Sequence, residues 1–315
     1  MSVKGELFSR YRENPIIRPQ DMPYPVSAVF NAGATLFEDK TLLLMRVEDR
    51  RGFSHFTIAT SDDGIKDWKI STRPILLPDP GQFPEEEWGL EDARITFLPE
   101  LGVWAIVYTA YSRRGPLVSL ATTENFQEFH RLGCILPPEN KDAALFPESF
   151  NGRFALLHRP VPAMAGAGAH IWISFSPDLK YWGDHRLLLP AREGGWWDAE
   201  KIGCAAPPLK TKEGWLVLYH GVRRTVSGCL YRLGLALLDL FDPTRVIKRG
   251  DEWVLAPEES YELIGDVDKV VFPCGWVVEE NEIRLYYGGA DKCVALAFAR
   301  LDDVLKWLIG PEVKR

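Results

Sequence analysis

Hydrophobic and polar positions along the chain repeat as one unit. A polar or turn-forming start leads into a short apolar strand, then a turn of Glu, Asp, Asn, Lys or Gly, then a second apolar strand with a polar end. The unit opens at Asn31 (NAGATLFEDKTLLLMR), Asp92 (DARITFLPELGVWAIVY), Asp142 (DAALFPESFNGRFALLH), Cys204 (CAAPPLKTKEGWLVLYH) and Pro273 (PCGWVVEENEIRLYYGG). Its ends are Arg46, Tyr108, His158, His220 and Gly289. Each hairpin is followed by a further strand and an acidic turn with an apolar anchor, as in SDDGIKDWKI from Ser61 and TTENFQEFHRL from Thr122.

Strand-forming residues broken by Gly, Pro, Asp and Asn, with almost no long segment of helical period, predict an all-β protein. Self-similarity at a period of roughly 50 to 70 residues points to stacked or radial repeats. About four strands in each of five repeats predicts a five-bladed β-propeller with its site in the central channel, one domain over residues 1–315. A tandem pair of β-sandwiches is the alternative, but it does not predict the fivefold register. One short helix is expected at Leu301 to Leu308. In a propeller the starts of the innermost strands meet at one mouth, so Asn31, Asp92, Asp142, Lys201 or Cys204, and Pro273 are expected to be neighbours.

Composition narrows the class. At 315 residues and 46% hydrophobic content the chain can bury a large core, and its net charge of −7 lacks the electrostatic footprint of a nucleic-acid binder. Five scattered cysteines without C-x-x-C spacing argue against a disulfide framework or structural zinc and for a reducing compartment. No apolar run approaches a membrane span, and the first residues lack a signal-peptide core, so a cytoplasmic protein with no membrane partner is expected. No metal or cofactor is expected either.

Asp92, in Leu90-Glu91-Asp92-Ala93-Arg94, is the candidate general acid, because a carboxyl at a channel mouth beside aromatic groups is raised in pKa by desolvation. Arg94 pulls the other way if it reaches Asp92, and a purely structural Asp-Arg pair is the competing reading. Arg46, His158, Arg159 and His220, at or beside unit ends, and Lys201, just before the fourth unit, form a cationic set suited to an anion such as phosphate. Local ion pairs and satisfied core histidines are the plainer alternative. Asn31, Asp49 and Asp291 are available for sugar hydroxyls, and aromatics such as Trp88, Tyr108, Tyr111, Trp196 and Tyr231 suit stacking on sugar rings.

The stretches FNAGAT from Phe30, LLLMRVEDR from Leu42, WGLEDARI from Trp88, DAALFP from Asp142, LHRP from Leu157, WWDAEKIG from Trp196, YHGV from Tyr219, YRLGLALLD from Tyr231, VVFPCGW from Val270 and YYGGAD from Tyr286 occur in the order of a known family. The chain resembles the β-mannoside phosphorylases and related enzymes of glycoside hydrolase family 130, five-bladed propellers, over nearly its whole length. The resemblance implies that Asp92 is the general acid, acting through the 3-hydroxyl of the mannose in the cleaved subsite. It implies that Arg46, Arg159, Lys201, His220 and Tyr231 bind phosphate and that Asn31 and Asp291 bind sugar. Arg94, Tyr108, Asp142, His158 and Asp49 complete the expected substrate-binding set. Ala93 stands where many relatives have proline.

An inverting hydrolase needs a second carboxylate to activate water, whereas phosphate is already a nucleophile and needs cations to hold it. One well-placed acid among mainly cationic groups favours inverting phosphorolysis of a β-mannoside to α-mannose 1-phosphate, with inorganic phosphate as co-substrate, although Glu48 or Glu91 is available as a base for hydrolysis. A hydrolase on the same fold and a non-catalytic carbohydrate-binding propeller remain as alternatives. Linkage and acceptor stay open. So does oligomeric state, where a homo-oligomer would let loops of a second copy complete the acceptor side.

Overall fold

A computed structural model describes residues 7–162, 164, 166–226 and 228–310. The chain is all-β. After a two-residue strand β1 (Ser9–Arg10), the first antiparallel sheet runs β2 (Ala28–Phe37), β3 (Lys40–Glu48), β4 (Ser54–Ser61) and β5 (Lys69–Ile70). The second runs β6 (Gly89–Leu98), β7 (Val103–Ser112), β8 (Gly115–Thr123) and β9 (His130–Leu136), and a single parallel bridge between Ser54 and Gly89 joins it to the first. The third holds β10 (Asn140–Leu145), β11 (Phe154–Pro160), β12 (Ile171–Ser176) and β13 (Gly183–Leu189).

In the fourth, the inner strand is split into β14 (Lys201–Cys204) and β15 (Leu209–Thr211), both pairing β16 (Gly214–Thr225), followed by β17 (Gly228–Leu238) and β18 (Val246–Arg249). Pro207 and Pro208, which cannot donate to a ladder, occupy the break. A one-turn helix α1 (Ser260–Leu263) precedes β19 (Val271–Glu279), β20 (Glu282–Gly289) and β21 (Cys293–Arg300), and β1 adds to β21 as the fourth strand. The expected C-terminal helix is α2 (Leu301–Ile309); it buries Val304, Leu305 and Leu308 and stops at Gly310, whose φ of 87° suits glycine.

Apolar residues from the two faces of each strand feed five large clusters between consecutive sheets, and Val270, Phe272 and Cys274 form a sixth, small one. Ile106 and Leu44 meet between the first and second sheets, Leu156 and Leu120 between the second and third, and Trp215 and Phe146 between the third and fourth. Leu216 and Leu285 meet between the fourth and fifth, and Leu43 and Leu296 between the fifth and first.

A polar network recurs with the sheets. In the second, Tyr108 on β7 donates to Glu86 Oε1 at 2.7 Å, and Arg131 on β9 donates to Oε2 at 2.5 Å. In the fourth, Tyr219 and Arg249 converge on Asp198 at 3.1 and 2.7 Å; in the fifth, Tyr287 and Arg10 converge on Glu262 at 2.7 and 2.8 Å. Each acid comes from the segment entering the sheet, each tyrosine from its second strand and each arginine from its outermost strand. Fully buried carboxylates need such partners. The third sheet replaces the tyrosine with His158, whose ring nitrogens meet Ser174 at 2.7 Å and Asn140 at 3.0 Å.

All five cysteines are free thiols. No helix among the described residues is long and apolar enough to cross a membrane.

Candidate active site

Three sheets carry the same irregularity at the same place. The register of β2 against β3 shifts between Phe30 and Gly33, that of β6 against β7 between Glu91 and Arg94, and that of β10 against β11 between Lys141 and Ala144. The extra residue opens with Asn31, Asp92 or Asp142, at φ 45°, 54° and 53°. Asn and Asp tolerate this left-handed region better than other side chains, and a bulge re-aims the side chain of the residue it frees. The motifs F-N-A, E-D-A and K-D-A are therefore one structural device that delivers an Asx side chain to one place.

Asp92 is buried. Its Oδ1 accepts from Asn31 Nδ2 at 2.9 Å and from Arg46 Nη1 at 3.1 Å. Arg46 spends its other donors on Ser54 (3.0 Å), Glu48 (2.7 Å) and Glu91 (3.0 Å), and its guanidinium lies over the Phe30 ring. With every nitrogen engaged, Arg46 holds Asp92 in place, which differs from the expected phosphate contact. Burial pushes the Asp92 carboxyl up, but Arg46, Arg94, Lys141 and the Asn31 hydrogen bond outweigh it and hold it below the usual range. The expectation of a carboxyl kept protonated by desolvation is thus corrected: the site without ligand holds a carboxylate. Asp291 behaves oppositely. Burial, reinforced by Asp92 and Glu48 against the pull of Arg46, raises it to about 7.

Asp142 organises the other side. Arg159 grips one carboxylate oxygen with Nε at 2.8 Å and Nη2 at 2.6 Å, His220 Nε2 lies at 3.4 Å, and Arg94 Nη2 at 3.6 Å. Gly203 makes this approach possible, since a Cβ there would meet Asp142 Oδ2 and His220 Cε1 at 2.5 Å. Arg94 is a clamp between sheets: it donates to the backbone carbonyls of Asp92, Cys204 and Ala205 at 2.9, 2.9 and 3.0 Å. Burial dominates His220, lowering it to about 3 despite Asp142, so the imidazole is neutral; it packs on Phe272 at 4.7 Å, and its buried Nδ1 has no partner.

Lys201 is the exception to this saturation. Its ammonium sits 5.6 Å from the Tyr231 ring centroid, makes no ion pair among the described residues, and is lowered in pKa by burial and then by Arg159. It opens with Lys141, Arg159, Glu139 and Arg224 onto a cavity of about 380 Å³ edged by Gly166 and Gly168, the glycine-rich segment before His170. Of that segment, Ala165 lies outside the described residues.

Four expectations change here. Asp49 takes hydrogen bonds from Arg51 and from the backbone of Phe53, so it shapes the β3–β4 turn rather than the site. Tyr108 and His158 belong to the recurring inter-strand network: these two unit ends fall one residue short of the site, which Arg159 reaches in the third sheet, whereas the ends Arg46 and His220 do reach it. Lastly, Asp92 is not a solitary acid among cations, because Glu48, Glu91, Asp142 and Asp291 accompany Arg46, Arg94, Lys141, Arg159 and Lys201. Buried cations require counter-charges, which a count of basic residues does not reveal.

Lys141 is a position at the site that the sequence reading did not single out, and Glu91, weighed there only as an alternative base, lies beside it. Lys141 lies 3.8 Å from Glu91, pairs in register with Arg159, and acts on Asp92, Asp142, Lys201 and Asp291 alike. The signal was present: Phe30, Glu91 and Lys141 each immediately precede the bulged Asx.

A family model described as beta-1,4-mannooligosaccharide phosphorylase matches residues 7–309. The chain is 34% identical to the beta-1,4-mannooligosaccharide phosphorylase of Ruminococcus albus, over 95% of this chain and 90% of that one. It is 35% identical to a 1,2-beta-oligomannan phosphorylase of Thermoanaerobacter sp., over 94% and 98%. It superposes on the beta-1,2-mannobiose phosphorylase of Listeria innocua, solved with beta-1,2-mannobiose, with a TM-score of 0.87 and 32% identity, over 96% and 99% of the two chains. With this agreement along nearly its whole length, the chain is an enzyme and belongs to glycoside hydrolase family 130.

Proposed function

We propose that the chain is an inverting phosphorylase of β-mannosides, acting on mannobiose or mannooligosaccharides with inorganic phosphate to release α-mannose 1-phosphate. The observation that carries this reading is Lys201, a largely desolvated ammonium that makes no ion pair among the described residues, beside Arg159 and Lys141. A cation left in that state calls for an anionic ligand. The phosphorylase activity of the relatives agrees with it.

The fold reading that accompanies it is one domain closed as a five-bladed propeller. Five four-stranded units, an N-terminal strand completing the last, and apolar clusters between every consecutive pair including the fifth and first support it.

In the reaction, a phosphate oxygen held by Lys201, Arg159 and Lys141 forms a bond to the anomeric carbon while the glycosidic carbon–oxygen bond breaks on the opposite face. Single displacement inverts the configuration. The leaving oxygen takes a proton from Asp92, relayed through the mannose 3-hydroxyl, and the proton released by the phosphate ester restores the acid. Asp92 is ionised without ligand, so protonation accompanies binding: an arriving phosphate dianion offsets Arg94 and Lys141, and sugar displaces water from the carboxyl. Arg46 and Asn31 keep the carboxyl aimed throughout.

A second reading draws on Asp291, a carboxyl at the mouth that makes no ion pair among the described residues and titrates near neutrality, as the base of an inverting hydrolase. Incubating the enzyme with β-1,4- and β-1,2-mannobiose, with and without phosphate, separates the two. Phosphorolysis gives mannose 1-phosphate only when phosphate is present; free mannose released equally in both would establish hydrolysis instead.

A further inference from the structure

The β16–β17 hairpin has two faces. Tyr231, opposite Val222, looks toward Lys201; Arg232 and Arg223, one residue along on each strand, point to the other side. There they line a cleft of about 600 Å³ with Glu193, Glu252, Trp196 and Trp253. Both tryptophans are large apolar groups left open to solvent, Trp196 at 43% and Trp253 at 42% exposure, although indole is normally among the more buried side chains. Neither is loose. The Arg192 guanidinium backs Trp196 at 4.3 Å and that of Arg232 backs Trp253 at 4.1 Å, so each ring is braced by a cation. Arg192 is itself tied to Asp198 at 3.3 Å and Asp251 at 2.8 Å, and the neighbouring Trp197 donates to the Asp251 carbonyl at 2.8 Å.

We propose that this cleft is a second carbohydrate-binding site, which takes a segment of a neutral oligosaccharide away from the reaction centre. The proposal rests on the β-mannoside reading above for the identity of the sugar. Rigid indoles offer flat apolar surfaces for the C–H faces of sugar rings. Arg223, Arg232, Glu193 and Glu252 make no ion pairs among the described residues, which leaves donors and acceptors of both signs open for hydroxyl groups. Carboxylates in the same cleft disfavour an anion, and the guanidinium groups disfavour a cation. Trp196 precedes Lys201 by one short segment, so a chain held here stays beside the enzyme while its end is cleaved.

The test compares Trp196→Ala/Trp253→Ala and, as a gentler change, Glu193→Ala/Glu252→Ala with the wild type, each checked by thermal melting. Binding of β-1,4- and β-1,2-mannohexaose is measured by calorimetry without phosphate, and KM by phosphorolysis of hexaose and of mannobiose. Expected is a rise of about 10- to 100-fold in hexaose Kd and KM for the tryptophan variant, the weight of two lost aromatic contacts. A smaller rise is expected for the glutamate variant, with mannobiose KM and kcat unchanged in both. Unchanged hexaose binding in both variants overturns the site. So does a tryptophan variant that sediments as a smaller species than wild type, which would make the cleft an interface between copies. If the wild type forms no mannose 1-phosphate, the phosphorylase reading fails on its own, while loss of hexaose binding in the variants still upholds the second site.

Discussion

Asn31 Nδ2 and Asp92 Oδ1 lie 2.9 Å apart, although one residue belongs to the first sheet and the other to the second. Both occupy the bulge of the first strand of a four-stranded unit, and both hold a left-handed backbone. The hydrogen bond and the Arg46 contact on the same oxygen leave Asp92 one orientation, with Oδ2 making no hydrogen bond among the described residues. Removing the proton should therefore matter more than removing shape. Asp92→Asn is expected to fold like the wild type and to lose about 10³-fold in kcat/KM, within the span of general acid catalysis. Steady-state phosphorolysis of mannobiose checks it, and an Asn variant of full activity would remove Asp92 from the mechanism.

Lys201 offers its charge to the substrate anion rather than to a protein carboxylate. Lys201→Ala is expected to raise the KM for phosphate by about 10- to 100-fold, the weight of a charged hydrogen bond, with a smaller effect on the KM for mannoside. Phosphate-dependence curves at saturating mannoside measure it. Equal loss in both constants would place Lys201 in the sugar subsite.

Asp291 links the site to stability. Its pKa rises from 3.8 unfolded to about 7 folded, so between about pH 4 and pH 7 the folded chain keeps a proton that the unfolded chain has released. Stability from this group is present at low pH and is lost as pH climbs through that window. Asp291→Asn cannot ionise. Its melting temperature relative to wild type is expected to increase from pH 4.5 to pH 7.5 and then level off; a difference that is flat with pH would contradict the raised pKa of this half-buried acid.

Glu86 and Tyr108 separate structure from chemistry. Glu86→Ala strands Arg131 and the Tyr108 hydroxyl, and a loss of about 3 kcal/mol is expected for a broken buried pair. Tyr108→Phe should cost about 1 to 3 kcal/mol by leaving a buried acceptor short of one donor. Chemical denaturation gives both numbers. Neither variant should alter kcat/KM at 25 °C, and a marked change with Tyr108→Phe would return this residue to the substrate.

The pattern of apolar strands and turns carried the all-β class, the recurring hairpins and the terminal helix, because those follow from local periodicity and turn chemistry. Asn31, Asp92 and Asp142 were legible as equivalent starts for the same reason. The ends of the units were legible only in part. Counting to a polar residue found Arg46 and His220 but landed on Tyr108 and His158, whose side chains face a core network. A strand alternates faces at every residue, so an error of one reverses the assignment. Asp49 looked like a sugar ligand from its neighbours in sequence, but its carboxylate was already committed to Arg51 and the turn it closes.

By itself, then, the sequence determined which residues repeat, which elements form and which family the chain resembles, since these depend on short-range order along the chain. Only the tertiary structure decided the state of the acid in Leu90-Glu91-Asp92-Ala93-Arg94. Protonation of a buried carboxyl is set by the balance of desolvation against every charge within reach. For Asp92 those charges arrive from Arg46 on the first sheet, Arg94 two residues along and Lys141 on the third, a sum that no reading of neighbours in sequence contains.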